Sequence, residues 1–65
     1  MICRVNLTNG TKRKILDVIY VSKTVDKNTS EDNIWICIRN KKTGVTKEIE
    51  YKSKDVEYLA VREPY

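Results

Sequence analysis

The sequence has no histidine, one proline, one tryptophan, two glycines and two cysteines. Without histidine, a general base at neutral pH has to be a carboxylate or a lysine with a large pKa shift. A chain of 65 residues leaves little room for the cleft that would create one. No Gly-rich phosphate loop of the Walker or dinucleotide type is present. Neither cysteine has an activating base nearby in sequence, so the thiols are not expected to act as nucleophiles. The expectation is a protein that is not an enzyme and carries no cofactor.

Metal binding lacks ligands, because there is no histidine, no CxxC pair and no third or fourth soft donor. Cys3 and Cys37 each sit in an apolar, strand-like run, where a free Cys behaves as a small hydrophobe. Two buried free thiols in a reducing compartment are expected, with a disulfide as the alternative. No segment resembles a signal peptide, and the longest apolar run is far too short to span a membrane. A cytoplasmic protein with no membrane partner follows.

What is present is strand-forming. Val, Ile, Thr and Tyr dominate the apolar runs, and these residues fit a pleated surface. Residues 1–65 read as one small domain. Such a domain buries only about 60% of the surface its unfolded chain exposes. Chains near this limit often add a disulfide, a metal or a partner subunit.

Five strands are expected. The first is Ile2 to Leu7, with Cys3, Val5 and Leu7 on one face and Arg4 and Asn6 on the other. Asn9-Gly10 then signals a hairpin of type I′, which needs positive φ at both turn residues. The second strand runs from about Arg13 to Ser22. A polar loop, Asp26 to Asn33, is the one long flexible connection. The third strand is Ile34 to Arg39. Its turn, Asn40 to Gly44, suits a type I turn closed by a left-handed glycine. The fourth strand is Val45 to Tyr51. Ser53 to Val56 reads as a single 3-10 turn, Glu57 to Val61 as the last strand, and a short tail ends in Pro64-Tyr65.

Five short strands, two tight hairpins and a one-turn corner predict an all-β fold, a small five-stranded antiparallel barrel with a 3-10 turn before the last strand. Closing the sheet removes most exposed edges and needs no helix. This order of elements resembles that of SH3-like small barrels. Within that group, Val5-Asn6-Leu7-Thr8-Asn9-Gly10 followed by Ile15-Leu16-Asp17-Val18 resembles the start of an Sm-like fold. The second strand lacks the glycine of that family, and the loop that would bind RNA there is acidic here. The resemblance implies the architecture.

Charge is unevenly spread along the chain. Net charge is +4 over residues 1–25, −2 over 26–33, +4 over 34–54 and −2 over 55–65. The cations cluster on both hairpin tips and on the fourth strand. Lys12, Arg13 and Lys14 follow the first turn, and Arg39, Lys41 and Lys42 flank or form the second. Together they could bind a phosphate-bearing ligand, with backbone N–H groups of the glycine turns adding to an anion site. Tyr51 lies between Lys47 and Lys52, where a base could stack beside phosphate contacts. The competing reading is of solvated hairpin tips that discourage edge-to-edge aggregation.

Two features resist the simple pattern. Asp17 interrupts the run ILDVIYV on the face of Ile15, Ile19 and Val21, so its carboxylate needs a partner, solvent or a ligand. The run NIWICIR is apolar on both faces. Ile34, Ile36 and Ile38 point one way, and Trp35 and Cys37 the other. Trp35 and Cys37 either plug the barrel or form an interface patch with Tyr20 and Tyr58. A second copy of the chain would be one occupant, and a homo-oligomer would relieve marginal stability.

Two functions are carried forward. The first is a non-catalytic binding module, self-associating, whose basic hairpins hold a nucleic acid strand or a nucleotide and whose Trp35, Tyr51 or Tyr58 supplies the stacking. The second is an inhibitor or adaptor of the kind small Lys-, Asn- and Ile-rich phage and mobile-element proteins provide. It would bind a host protein, or sequester a signalling nucleotide, through the Trp35 patch.

Overall fold

The computed structural model describes residues 1–63, so the expected tail at Pro64 and Tyr65 lies outside the described residues. Among the described residues six strands form: β1 (Ile2–Leu7), β2 (Lys12–Ile15), β3 (Val18–Val25), β4 (Asp32–Arg39), β5 (Thr46–Lys52) and β6 (Val56–Arg62). A 3-10 turn, Ser53–Asp55, precedes the last. They make two three-stranded antiparallel sheets, ordered β2-β1-β6 and β3-β4-β5.

The expected second strand divides at Leu16 and Asp17. Asp17 sits at φ 59, in the left-handed region, and such a residue cannot continue an extended ladder. Its carbonyl accepts the Arg39 N–H at 3.0 Å. The two halves of the run go to different sheets. No strand ladder joins the two sheets, which meet through reciprocal backbone hydrogen bonds between Met1 and Val18 (2.8 and 3.0 Å), and the strands form two sheets rather than five strands in one closed barrel.

The break also resets which residues face inward. The expected face of Ile15, Asp17, Ile19 and Val21 is not formed. Val18 is buried and lies opposite Ile38, while Val21 lies opposite Ile36. Ile19 is the extra residue of a bulge between them and is exposed.

Cys3, Val5, Val18 and Ile36 form the buried centre, with Ile34, Ile38, Ile49 and Leu59 among those packed around it. The Ile34, Ile36, Ile38 face of β4 points into this core, as its alternation requires. Cys3 and Cys37 are free and buried. Burial raises the Cys3 thiol pKa above its ordinary value. Among the described residues no helix is long and apolar enough to cross a membrane.

The turns differ from expectation in instructive ways. In the first hairpin Gly10 alone has positive φ, at 92°, so the turn is not type I′. Gly10 N–H donates to the Leu7 carbonyl (3.1 Å) and Leu7 N–H to the Thr11 carbonyl (2.8 Å). This is the three-residue loop in which a left-handed glycine closes a tight turn. Gly44 takes the expected left-handed conformation at φ 74.

The acidic loop is not a long flexible connection. β3 runs on to Val25 and β4 starts at Asp32, which leaves a tight hairpin. Asp26 N–H donates to the Glu31 carbonyl and Ser30 N–H to the Asp26 carbonyl, both at 2.8 Å. The Asn40 hairpin repeats this pattern with Val45 (2.9 Å) and Gly44 (2.8 Å). In each turn an Asx carboxyl or amide oxygen also accepts the N–H two residues on, at 2.9 Å. Ser30, at φ 59, occupies the position that Gly44 fills in the other hairpin.

Candidate functional site

Alternation along β1 puts Cys3 and Val5 inside, so Arg4 and Asn6 point away from the core. Antiparallel register then determines their neighbours. Arg4 lies opposite Lys14 on one side and Ala60 on the other. Asn6 lies opposite Lys12 and Tyr58, and Ile2 opposite Arg62. Directly opposed residues share a face. The outer face of the first sheet therefore gathers Arg4, Lys12, Lys14 and Arg62, with Tyr58 beside them.

These side chains, with Asn6, Arg13 and Ala60, line a shallow depression in which, among the described residues, there is no carboxylate. Ala60 is the small residue of its lining. Tyr58 is 54% exposed, so its ring is open to a ligand. Among the described residues the ion pairs use Lys23, Lys41, Lys52 and Lys54, and none of the five cations of the depression. Like charges directly opposed across a strand pair are destabilising. Arg4 facing Lys14 is such a pair, and a polyanion laid over the face would relieve it.

Arg13 lines the rim of this depression but leans away from its centre. It lies opposite Val5, on the inward side, and its Nη1 donates to the Tyr51 Oη at 3.3 Å. Tyr51 is half-buried and packs against the core. It is not among the residues of the cationic depression. The aromatic ring beside the cations is Tyr58, which the sequence offered both as a stacking ring and as an interface residue.

Arg39, Lys41 and Lys42 lie elsewhere. They line a second hollow with Leu16, Asp17, Ile38, Val45 and Lys47. Lys41 pairs with Asp17 at 3.3 Å, and both side chains are well exposed, so the pair adds little stability. The expected ligand set thus divides into two groups, one on each sheet. Asp17 finds the lysine partner that its position in an apolar run called for.

Trp35, Cys37 and Tyr20 do come together, on the outer face of the second sheet. Tyr20 lies opposite Cys37, which lies opposite Glu48. The Tyr20 hydroxyl donates to Glu48 Oε1 at 2.9 Å. The Glu48 carboxylate, followed by contact with Cys37, pushes the phenol pKa up to about 12. Trp35 Nε1 donates to Thr24 Oγ1 at 3.0 Å.

Three residues of the cationic face were not among the sequence candidates: Arg4, Asn6 and Arg62. The alternation of β1 already turned Arg4 and Asn6 outward. Arg62 required the β1–β6 register, which no local pattern carries. Among the described residues no three His, Cys, Asp or Glu side chains converge as metal ligands. Comparison with family models, curated proteins and solved structures finds no match to this chain.

Proposed function

We propose that the protein is a non-catalytic binding module that holds a nucleic acid strand on the outer face of its first sheet. The observation that carries this reading is the set of Arg4, Lys12, Lys14 and Arg62 around the exposed ring of Tyr58, with no carboxylate beside them among the described residues. Cations supply the salt-dependent, sequence-independent part of nucleic-acid affinity, and an aromatic face stacks an unpaired base. The cations are spread over successive rungs, about 7 Å apart along the strand. An extended backbone meets such an array more fully than a free nucleotide does, which makes the nucleotide the second reading.

The strand orders β2-β1-β6 and β3-β4-β5, with a 3-10 turn before the last strand, support a further reading of the fold as an opened SH3-like small barrel. Its two halves would be joined through the Asp17 break.

Fluorescence anisotropy of a labelled single-stranded oligonucleotide, titrated across a salt series, tests the function. With about four phosphate contacts, the logarithm of the binding constant falls with log salt at a slope near −3, about 0.7 per contact. Lys14→Ala lowers that slope by about one contact, and Tyr58→Ala weakens binding by roughly 1–3 kcal/mol without changing it. An affinity that is flat in salt rules the reading out.

A further inference from the structure

We propose that the outer face of the second sheet docks an arginine-presenting segment of a partner protein. This face points away from the core on the sheet opposite the cationic depression, and the proposal does not rest on nucleic-acid binding.

The face is built from three rungs: Tyr20–Cys37–Glu48, Ser22–Trp35–Glu50 and Thr24–Asn33–Lys52. Tyr20 reaches across β4 to Glu48, so its ring covers Cys37. That explains why Cys37 is 4% exposed at an outward position. Trp35 turns the other way and is tied to Thr24. Both aromatic side chains are anchored at their polar tips before any partner arrives, so little side-chain entropy remains to be lost on binding.

With those tips engaged, the face offers ring surface and two carboxylates. Among the described residues Glu50 has no ion pair or side-chain hydrogen bond, and Glu48 accepts only from Tyr20. The cations of the face stand at its ends. Lys52 is held by Glu31 at 3.6 Å, and Arg39 lies opposite Thr46. Carboxylates accept hydrogen bonds and attract positive charge, and an aromatic face attracts a cation through its quadrupole. A guanidinium satisfies both demands at once, being planar, permanently charged and a forked donor. A lysine offers a point charge without the plane. A phosphate would meet Glu48 and Glu50 and be repelled, so this face and the cationic depression present opposite electrostatic preferences.

The test uses blocked peptides carrying an Arg-Gly-Arg sequence, and the same peptides with citrulline, which keeps the shape and removes the charge. Trp35 is the only tryptophan of the chain, so its emission reports on this face. The arginine peptide should change that emission saturably and the citrulline peptide should not. Glu50→Gln should weaken binding about tenfold, the loss of one charge-assisted hydrogen bond, at an unchanged melting temperature. Lys12→Ala/Lys14→Ala should bind the peptide as the parent does. Equal response to the two peptides, unchanged affinity in Glu50→Gln, or no saturable change at millimolar peptide overturns the proposal. So does a sedimentation coefficient that rises with protein concentration and stops rising in Glu50→Gln, which would assign the face to a second copy of the chain.

Discussion

Arg13 of β2 and Tyr51 of β5 meet side chain to side chain, guanidinium to phenol at 3.3 Å, and join the two sheets across the rim of the core. Both residues had the composition of ligand-binding groups. Their contact with each other gives them a structural part, while Lys12 and Lys14 on either side of Arg13 point outward.

Arg13→Ala and Tyr51→Phe should each lower stability by about 0.5–1 kcal/mol, the worth of an ordinary hydrogen bond. The double variant should cost little more than either alone, because one bond is lost in all three. Chemical denaturation of the four proteins checks this. Fully additive losses would mean that the two side chains act separately.

Lys14→Glu should raise stability by roughly 0.2–1 kcal/mol while weakening oligonucleotide binding. It replaces the like-charged Arg4–Lys14 pair with an opposite-charge pair. Thermal melting and anisotropy on the same sample separate the two effects. Loss of both stability and binding would show that the pair is not strained by its charges.

Ser30→Gly should stabilise the protein. Ser30 holds the left-handed position that Gly44 fills in the sister hairpin. A side chain costs about 1–2 kcal/mol there, against which glycine loses about 0.5–1 kcal/mol in chain entropy. A net gain of about 0.5–1 kcal/mol raises the melting temperature by about 2–8 °C in a domain of this size. Gly44→Ser should shift it the other way.

Asp17→Asn and Asp17→Val distinguish backbone from charge. Asn tolerates the left-handed region and loses only the exposed pair with Lys41, so it should cost under about 0.5 kcal/mol. Val is β-branched and should cost more than about 1 kcal/mol at φ 59. Equal melting temperatures would contradict the role given to the break.

Tyr20 titrates late, near pH 12, because the Glu48 carboxylate holds its proton. The folded-state pKa lies above the unfolded value of about 10. The folded protein therefore binds more protons in that interval, and the contribution from Tyr20 is complete below about pH 10 and is lost as pH rises towards 12. Ultraviolet absorbance of tyrosinate should show one phenol ionising late, and Glu48→Gln should bring it back toward the others.

Strand content was legible in the residues alone, because β-branched residues alternate with polar ones and few helix signals compete. So were the inward faces of β1 and β4, since Cys3, Val5, Ile34, Ile36 and Ile38 obey a period of two. The left-handed Gly44 and the 3-10 corner were legible from local chemistry. Tertiary structure decided the rest. Asp17 in an apolar run reads equally as a buried, paired or bulged residue. Only the docking of the two halves into different sheets, with the Asp17 carbonyl accepting the Arg39 N–H, selected a left-handed break, and with it six strands in two sheets. Ser30 gave no sign of a left-handed turn, because serine prefers other conformations and only closure of the hairpin holds it there. The cationic face needed strands distant in sequence, β1, β2 and β6, to be laid side by side in one register. Charge along a chain is one-dimensional. Which cations share a surface depends on pairings whose free energy comes from the whole core.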